Sequence, residues 1–139
     1  MSSTIIALFT CMLLSVTTAS AADSGPPLDK SEHPGDVALL KAPSGKWTYR
    51  SFPGQSRLYV SEGDRPGKSN CNAGCDSAWS PLLAREHEVG AQVGDWTVIG
   101  RDDGRKQWSY KGKPVYVRYH DIELTTTEAG IDGFHLLEP

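Results

Sequence analysis

The chain has 139 residues, enough for one domain, and its apolar, aromatic and charged fractions are ordinary for a folded globular protein. That composition excludes wholesale disorder. The formal net charge of −3 leaves no basic footprint for a nucleic-acid backbone and no polybasic anchor for a membrane surface.

Residues 1–22 stand apart. Met1 to Ala22 carries no charged side chain, and Ile5-Ile6-Ala7-Leu8-Phe9 and Met12-Leu13-Leu14-Ser15-Val16 form an apolar core followed by Ala19-Ser20-Ala21-Ala22. An apolar run closed by small residues at that distance is what a signal peptidase reads. The run is shorter than the about 20 apolar residues a bilayer span needs, so the mature chain is expected to have no transmembrane segment. A signal peptide over 1–22 is therefore expected, with a periplasmic or secreted product. Cys11 lies inside the apolar run behind Leu8-Phe9-Thr10 and goes with the leader, which leaves Cys71 and Cys75 in the mature chain.

Residues 23–36 read as a flexible linker. Ser24-Gly25-Pro26-Pro27 and His33-Pro34-Gly35 supply turn and breaker residues without periodicity. Residues 37–139 read as one mainly β domain. Short runs rich in Val, Ile, Thr, Tyr and Trp, bounded by Gly, Pro, Asp and Asn, predict strands at Val37–Lys41, Trp47–Phe52, Arg57–Ser61, Trp96–Arg101, Gln107–Tyr110, Pro114–Tyr119 and Phe134–Leu137. Asp103-Gly104 suits a hairpin turn, because both positions tolerate positive φ, and Lys111-Gly112 can turn the next strand. Trp108 and Tyr110 are then on one face of their strand, with Gln107 and Ser109 on the other. The exception to the β pattern is Cys71 to Trp79. It fits two turns of helix, with Ser69 or Asn70 as cap and Ser80-Pro81 as stop.

The chain also echoes itself. Trp47-Thr48-Tyr49, Leu58-Tyr59-Val60 and Asp64 recur as Trp108-Ser109-Tyr110, Val115-Tyr116-Val117 and Asp121. The expected fold is thus a small antiparallel sheet domain built from two similar strand–turn–strand units, with one short disulfide-clipped helix. Two such units facing each other would bury aromatic faces that neither could bury alone.

At these residues the chain resembles a known family. Leu58-Tyr59-Val60-Ser61-Glu62-Gly63-Asp64-Arg65-Pro66-Gly67-Lys68-Ser69-Asn70-Cys71 runs on to Cys75-Asp76-Ser77-Ala78-Trp79-Ser80-Pro81-Leu82. With Gln107-Trp108-Ser109-Tyr110-Lys111-Gly112-Lys113-Pro114, it resembles the bacterial secreted repeat of unknown function. That family is a group of lipoproteins with a Y-x-(F/W/Y)-x-x-D motif. The likeness spans roughly Val37 to the C-terminus and marks Tyr59, Asp64, Trp79, Trp108, Tyr110, Tyr116 and Asp121 as motif residues. The middle aromatic is replaced by Ser61 in one copy and Arg118 in the other, and Cys11 lacks a lipobox, so lipid attachment does not carry over. The resemblance implies fold and location, and assigns no activity.

Three functional readings follow. The first is a non-enzymatic binding or scaffold module, monomeric and without cofactor, whose ligand or protein partner the sequence does not name. Here Cys71 and Cys75 form a structural disulfide. On a helix their spacing puts both sulfurs on one face with Cα atoms about 6 Å apart, within disulfide range, and export supplies the oxidant. The second is a redox or copper-handling protein using the same C-x-x-x-C pair, since soft thiolates suit that metal. The third is a hydrolase using Asp64 and Asp121 as a carboxylate pair; a structural role for both, bonding backbone N–H groups in turns, is the plainer alternative. His33, His87, His120 and His135 have no paired spacing and read as surface residues. Trp47 and Trp96 join the motif aromatics as core candidates.

Overall fold

A computed structural model describes residues 32–72, 75, 77–119 and 131–139. The leader over 1–22, residues 23–31 of the linker, His120 and Asp121 lie outside the described residues, as do 73, 74 and 76 within the expected helix. Among the described residues the strands in chain order are β1 (Val37–Lys41), β2 (Trp47–Ser51), β3 (Leu58–Ser61), β4 (Trp79–Pro81), β5 (Gln92–Val93), β6 (Trp96–Gly100), β7 (Lys106–Tyr110), β8 (Lys113–Arg118) and β9 (Phe134–Leu136), with a 3₁₀ turn at Glu86–Glu88. The domain is mainly β and every pairing is antiparallel. β1 and β2 form a two-stranded sheet, and the larger sheet runs β5-β6-β7-β8-β3-β9, with β4 also on β8.

Side chains alternate faces along a strand, and this divides the core in two. Leu58 of β3 and Val115 of β8 face one cluster, with Val37, Tyr49, Trp96, Trp108 and Tyr110. Tyr59 and Tyr116, the residues between, face a second cluster with Cys71, Trp79 and Phe134. The β1–β2 hairpin closes the first face: Tyr49 meets Trp96 at 5.1 Å and Tyr110 at 5.3 Å, both edge-on. On the second face Trp79 stacks on Phe134 at 3.9 Å, and Tyr59 meets Trp79 edge-on at 5.0 Å.

The echoing segments meet here. β3 and β8 pair so that Tyr59 lies opposite Tyr116. This antiparallel register relates the two short segments by a local two-fold. Their surroundings differ. β7 and β8 are joined by a two-residue turn with Lys111 at φ 49° and Gly112 at φ 77°. β2 and β3 share only the isolated bridge Arg50–Arg57. Trp108 is buried, but its counterpart Trp47 is half-exposed beside Lys41.

Two strands were not anticipated. Trp79, expected to end a helix, opens β4. The segment beyond it enters the gap where β7 and β8 separate: the Leu82 N–H donates to the Val115 carbonyl and the Trp108 N–H to the Leu82 carbonyl, both at 2.9 Å. Pro81 lacks an N–H, which a very short strand beginning this wedge tolerates. β5 is two residues long and has no periodicity to detect. The Asp103-Gly104 hairpin forms, with residues 101–105 between β6 and β7. Only Gly104 takes positive φ, and the Gly104 N–H bonds the Arg101 carbonyl at 3.1 Å.

Upstream of β1, Asp36 is fixed to the body. Its carbonyl accepts from the Phe52 N–H at 2.8 Å, and its carboxylate pairs with Arg85 at 2.6 Å. Among the described residues, no helix is long and apolar enough to cross a membrane.

Candidate functional site

The segment after β3 crosses the second face and carries the disulfide between Cys71 and Cys75, whose Cα atoms are 5.6 Å apart. Cys71 is 6% exposed among the aromatic rings, while Cys75 is half-buried. One sulfur-bearing residue is therefore packed and its partner stands nearer solvent.

A polar chain runs beneath this segment. The Tyr116 hydroxyl donates to Asp64 Oδ2 at 2.7 Å, because a carboxylate only accepts. The Tyr116 oxygen then accepts from Ser69 Oγ at 2.6 Å. Ser69 Oγ accepts in turn from Arg101 Nη1 at 3.0 Å and from the Cys71 N–H at 3.2 Å. The direction of every link is thus fixed, from the Arg101 cation through Ser69 and Tyr116 to the Asp64 anion. Asp64 Oδ1 accepts from the Asn70 N–H at 2.7 Å, closing the loop on itself. Burial pushes the Tyr116 hydroxyl pKa up, and the neighbouring Asp64 carboxylate adds to the shift.

Arg101 is the centre of the arrangement. Its side chain has no solvent exposure. Nη1 also donates to Gln107 Oε1 at 2.6 Å, Nη2 donates to the Cys71 carbonyl at 2.7 Å, and Nε reaches Asp103 Oδ2 at 3.2 Å. Gln107 is oriented by its own bond to the Val115 carbonyl at 2.7 Å. Asp103 lies at the surface and is also gripped by Arg105. The Arg105 bonds, with Arg101 behind them, hold the Asp103 carboxyl well below the usual range. Next to it, Asp102 accepts from Lys68 and, at 3.1 Å, from Asn72. Lys68 likewise draws the Asp102 carboxyl down. The loop between β6 and β7 is therefore fastened to the disulfide segment on both sides of Cys71.

The structure brings Cys71, Cys75, Tyr59, Trp79, Tyr116 and Asp64 together on or beside the second face, and puts Trp108 and Tyr110 in the opposite cluster. Asp121 lies outside the described residues. His87 is exposed, and His135 faces Glu62 at 2.7 Å. Among the described residues, no three of His, Cys, Asp and Glu form a group that could hold a metal ion.

Sequence reasoning missed Arg101, Ser69 and Gln107. Arg101 begins the run Arg101-Asp102-Asp103-Gly104-Arg105, which reads as a solvated hairpin tip. Nothing local signals that its first residue turns inward. Ser69 reads from the sequence as a helix cap, which is a different use of the same hydroxyl.

Comparison with known proteins yields no further assignment: no protein-family model matches the chain, and no curated protein or solved structure is significantly similar to it.

Proposed function

We propose that this chain is an exported thiol–disulfide redox protein, acting as a monomer in the periplasm or outside the cell, with Cys71 and Cys75 as its exchanging pair. The observation that carries the reading is the joined C-x-x-x-C pair, one residue packed and the other half-buried, with a fully buried arginine bonded to the packed one. Reactive cysteines sit in electropositive, partly exposed surroundings. The redox half of the cysteine reading is favoured over copper handling, since no third metal-ligating side chain joins the pair among the described residues. A hydrolase is less well supported, because both Asp64 oxygens are already engaged.

The likeness to the secreted repeat family fits an exported chain, and with it goes the view of two duplicated strand–turn–strand units. The short clipped helix is part of the same reading, supported by the bond from the Cys75 N–H to the Asn72 carbonyl at 3.3 Å.

The test is titration of the native protein in glutathione buffers, with thiols counted by mass and folding followed by circular dichroism. Reversible two-electron reduction of the folded protein at a dithiol-range potential is the expected result. Reduction only when the protein unfolds would instead support the non-enzymatic binding or scaffold module, with the disulfide as a clip. One observation favours that second reading: Cys71 is packed against Tyr59, Trp79, Tyr116 and Phe134 like a core residue.

A further inference from the structure

We infer that Arg101 sets the direction of exchange at this disulfide, making Cys75 the sulfur that is attacked and Cys71 the sulfur that leaves as a thiolate. The inference rests on the redox reading above and deepens it.

Three observations carry it. Cys75 is the more exposed partner, so an incoming thiolate reaches its sulfur first. Cys71 is held in place on both sides of its own peptide: its N–H donates to Ser69 and its carbonyl accepts from Arg101. Breaking the bond therefore frees Cys75 and leaves Cys71 where it was. The third is charge. Arg101 has no exposure, and its one ion pair among the described residues is to Asp103, which stands at the surface and is shared with Arg105. The other polar groups facing it are neutral: Ser69, Gln107 and the Cys71 carbonyl. Among the described residues, the other charges nearby are committed elsewhere, Asp64 to Tyr116 and Asn70, and Lys68 to Asp102. Arg101 bonds the Cys71 peptide carbonyl rather than its sulfur, and a buried guanidinium that shares its one carboxylate with Arg105 favours a new anion on that same residue.

The step balances with a protein dithiol as reductant. One thiolate of that partner attacks Cys75 Sγ, the Cys71–Cys75 bond breaks, and its electron pair leaves on Cys71 Sγ. The partner's second thiolate then attacks its own sulfur in the mixed disulfide and expels the Cys75 thiolate. The partner ends oxidised to a disulfide and this chain ends with two reduced cysteines, a two-electron exchange. Arg101 touches neither partner nor attacked sulfur, so it is a positioning residue.

The probe is reduced glutathione on the native protein, quenched with an alkylating agent, with the glutathionylated cysteine identified by peptide mass. The companion measurement is thiolate absorbance against pH in Cys75→Ser, alone and combined with Arg101→Gln. Glutathione is expected on Cys75, and Arg101→Gln is expected to cut the thiolate fraction of Cys71 at neutral pH about tenfold. Glutathione on Cys71, or an unchanged thiolate fraction in a folded Arg101→Gln protein, overturns the inference while leaving the redox reading standing. No exchange with the folded protein overturns both. Should Arg101→Gln fail to fold, the position of glutathione on the native chain still decides.

Discussion

Tyr116 shows how much one side chain can be asked to do. Its ring belongs to the aromatic cluster and its oxygen joins Ser69 to Asp64, so an apolar and a polar network share one residue. Asp64→Asn keeps the shape but replaces a charged acceptor of two bonds by a weaker one. We expect a loss of about 0.5–2 kcal/mol in denaturant unfolding, as for other lost local side-chain-to-backbone bonds; an unchanged midpoint would remove Asp64 from the network. The Tyr116 hydroxyl carries a second prediction. Its pKa is raised in the folded state above the ordinary 10.0, mainly by burial. A raised folded pKa gives stability that is fully present below the unfolded value and is lost as pH rises through the folded one. Alkaline destabilisation should therefore set in above pH about 10, and Tyr116→Phe should lack that component. Equal slopes for the two proteins above that pH would contradict the assignment. The sequence made Asp64 legible as a turn residue, because an Asp after a strand commonly bonds nearby N–H groups. Its bond to Tyr116, 52 residues away, depends on the pairing of β3 with β8 and has no local signature.

Among the elements, strands with a strong β-branched or aromatic pattern could be read from the sequence, and those shaped by tertiary contacts could not. Trp47-Thr48-Tyr49 and Val115-Tyr116-Val117 carry their own pattern, and the Lys111-Gly112 turn follows from backbone freedom at positive φ. β4 has three residues and a proline, and exists because β7 and β8 separate to admit it. The β6–β7 loop is the clearest case of a local motif with a long-range task. Asp103-Gly104 marked a turn, while the attachment of Arg101 and Asp102 to Ser69, Cys71 and Asn72 comes from the opposite strand end. The loop also predicts an acid response. The Asp103 carboxyl is depressed below the ordinary 3.8, chiefly by Arg105. A depressed folded pKa gives stability that is present above the unfolded value and is lost as pH falls through the folded one. Urea midpoints should thus fall below pH about 3.8, and Asp103→Asn should flatten that limb. A wild-type limb no steeper than the variant's would show that the loop does not couple to folding.

In the whole molecule, one sheet serves two cores, and each is closed by a different kind of lid. The first face is covered by β1 and β2, a hairpin with five paired positions and Tyr49 packed edge-on against both Trp96 and Tyr110. The second is covered by an irregular segment, held by the disulfide, by Arg101 and by the Asp64 loop. Local stability follows the number of backbone bonds and packed apolar contacts that must break together, so the two lids should open independently and the second more easily. The Cys71–Cys75 link closes only a short loop, and removing it should cost about 2 kcal/mol. That is less than a typical domain's whole stability. Replacing both cysteines by alanine should therefore leave the sheet folded, with the loss concentrated over Tyr59, Trp79 and Phe134. Amide hydrogen exchange of Cys71→Ala/Cys75→Ala against wild type reads this directly. Residues 62–72 and β9 should exchange faster, while β1, β2 and the β6–β7 ladder keep their protection until global unfolding. Tyr49→Ala should behave in the opposite way, because it empties the larger cluster at about 3–5 kcal/mol, the cost of deleting a buried aromatic, and so lowers protection everywhere. Uniform acceleration across both faces in the cysteine variant would mean that the two clusters act as a single cooperative core.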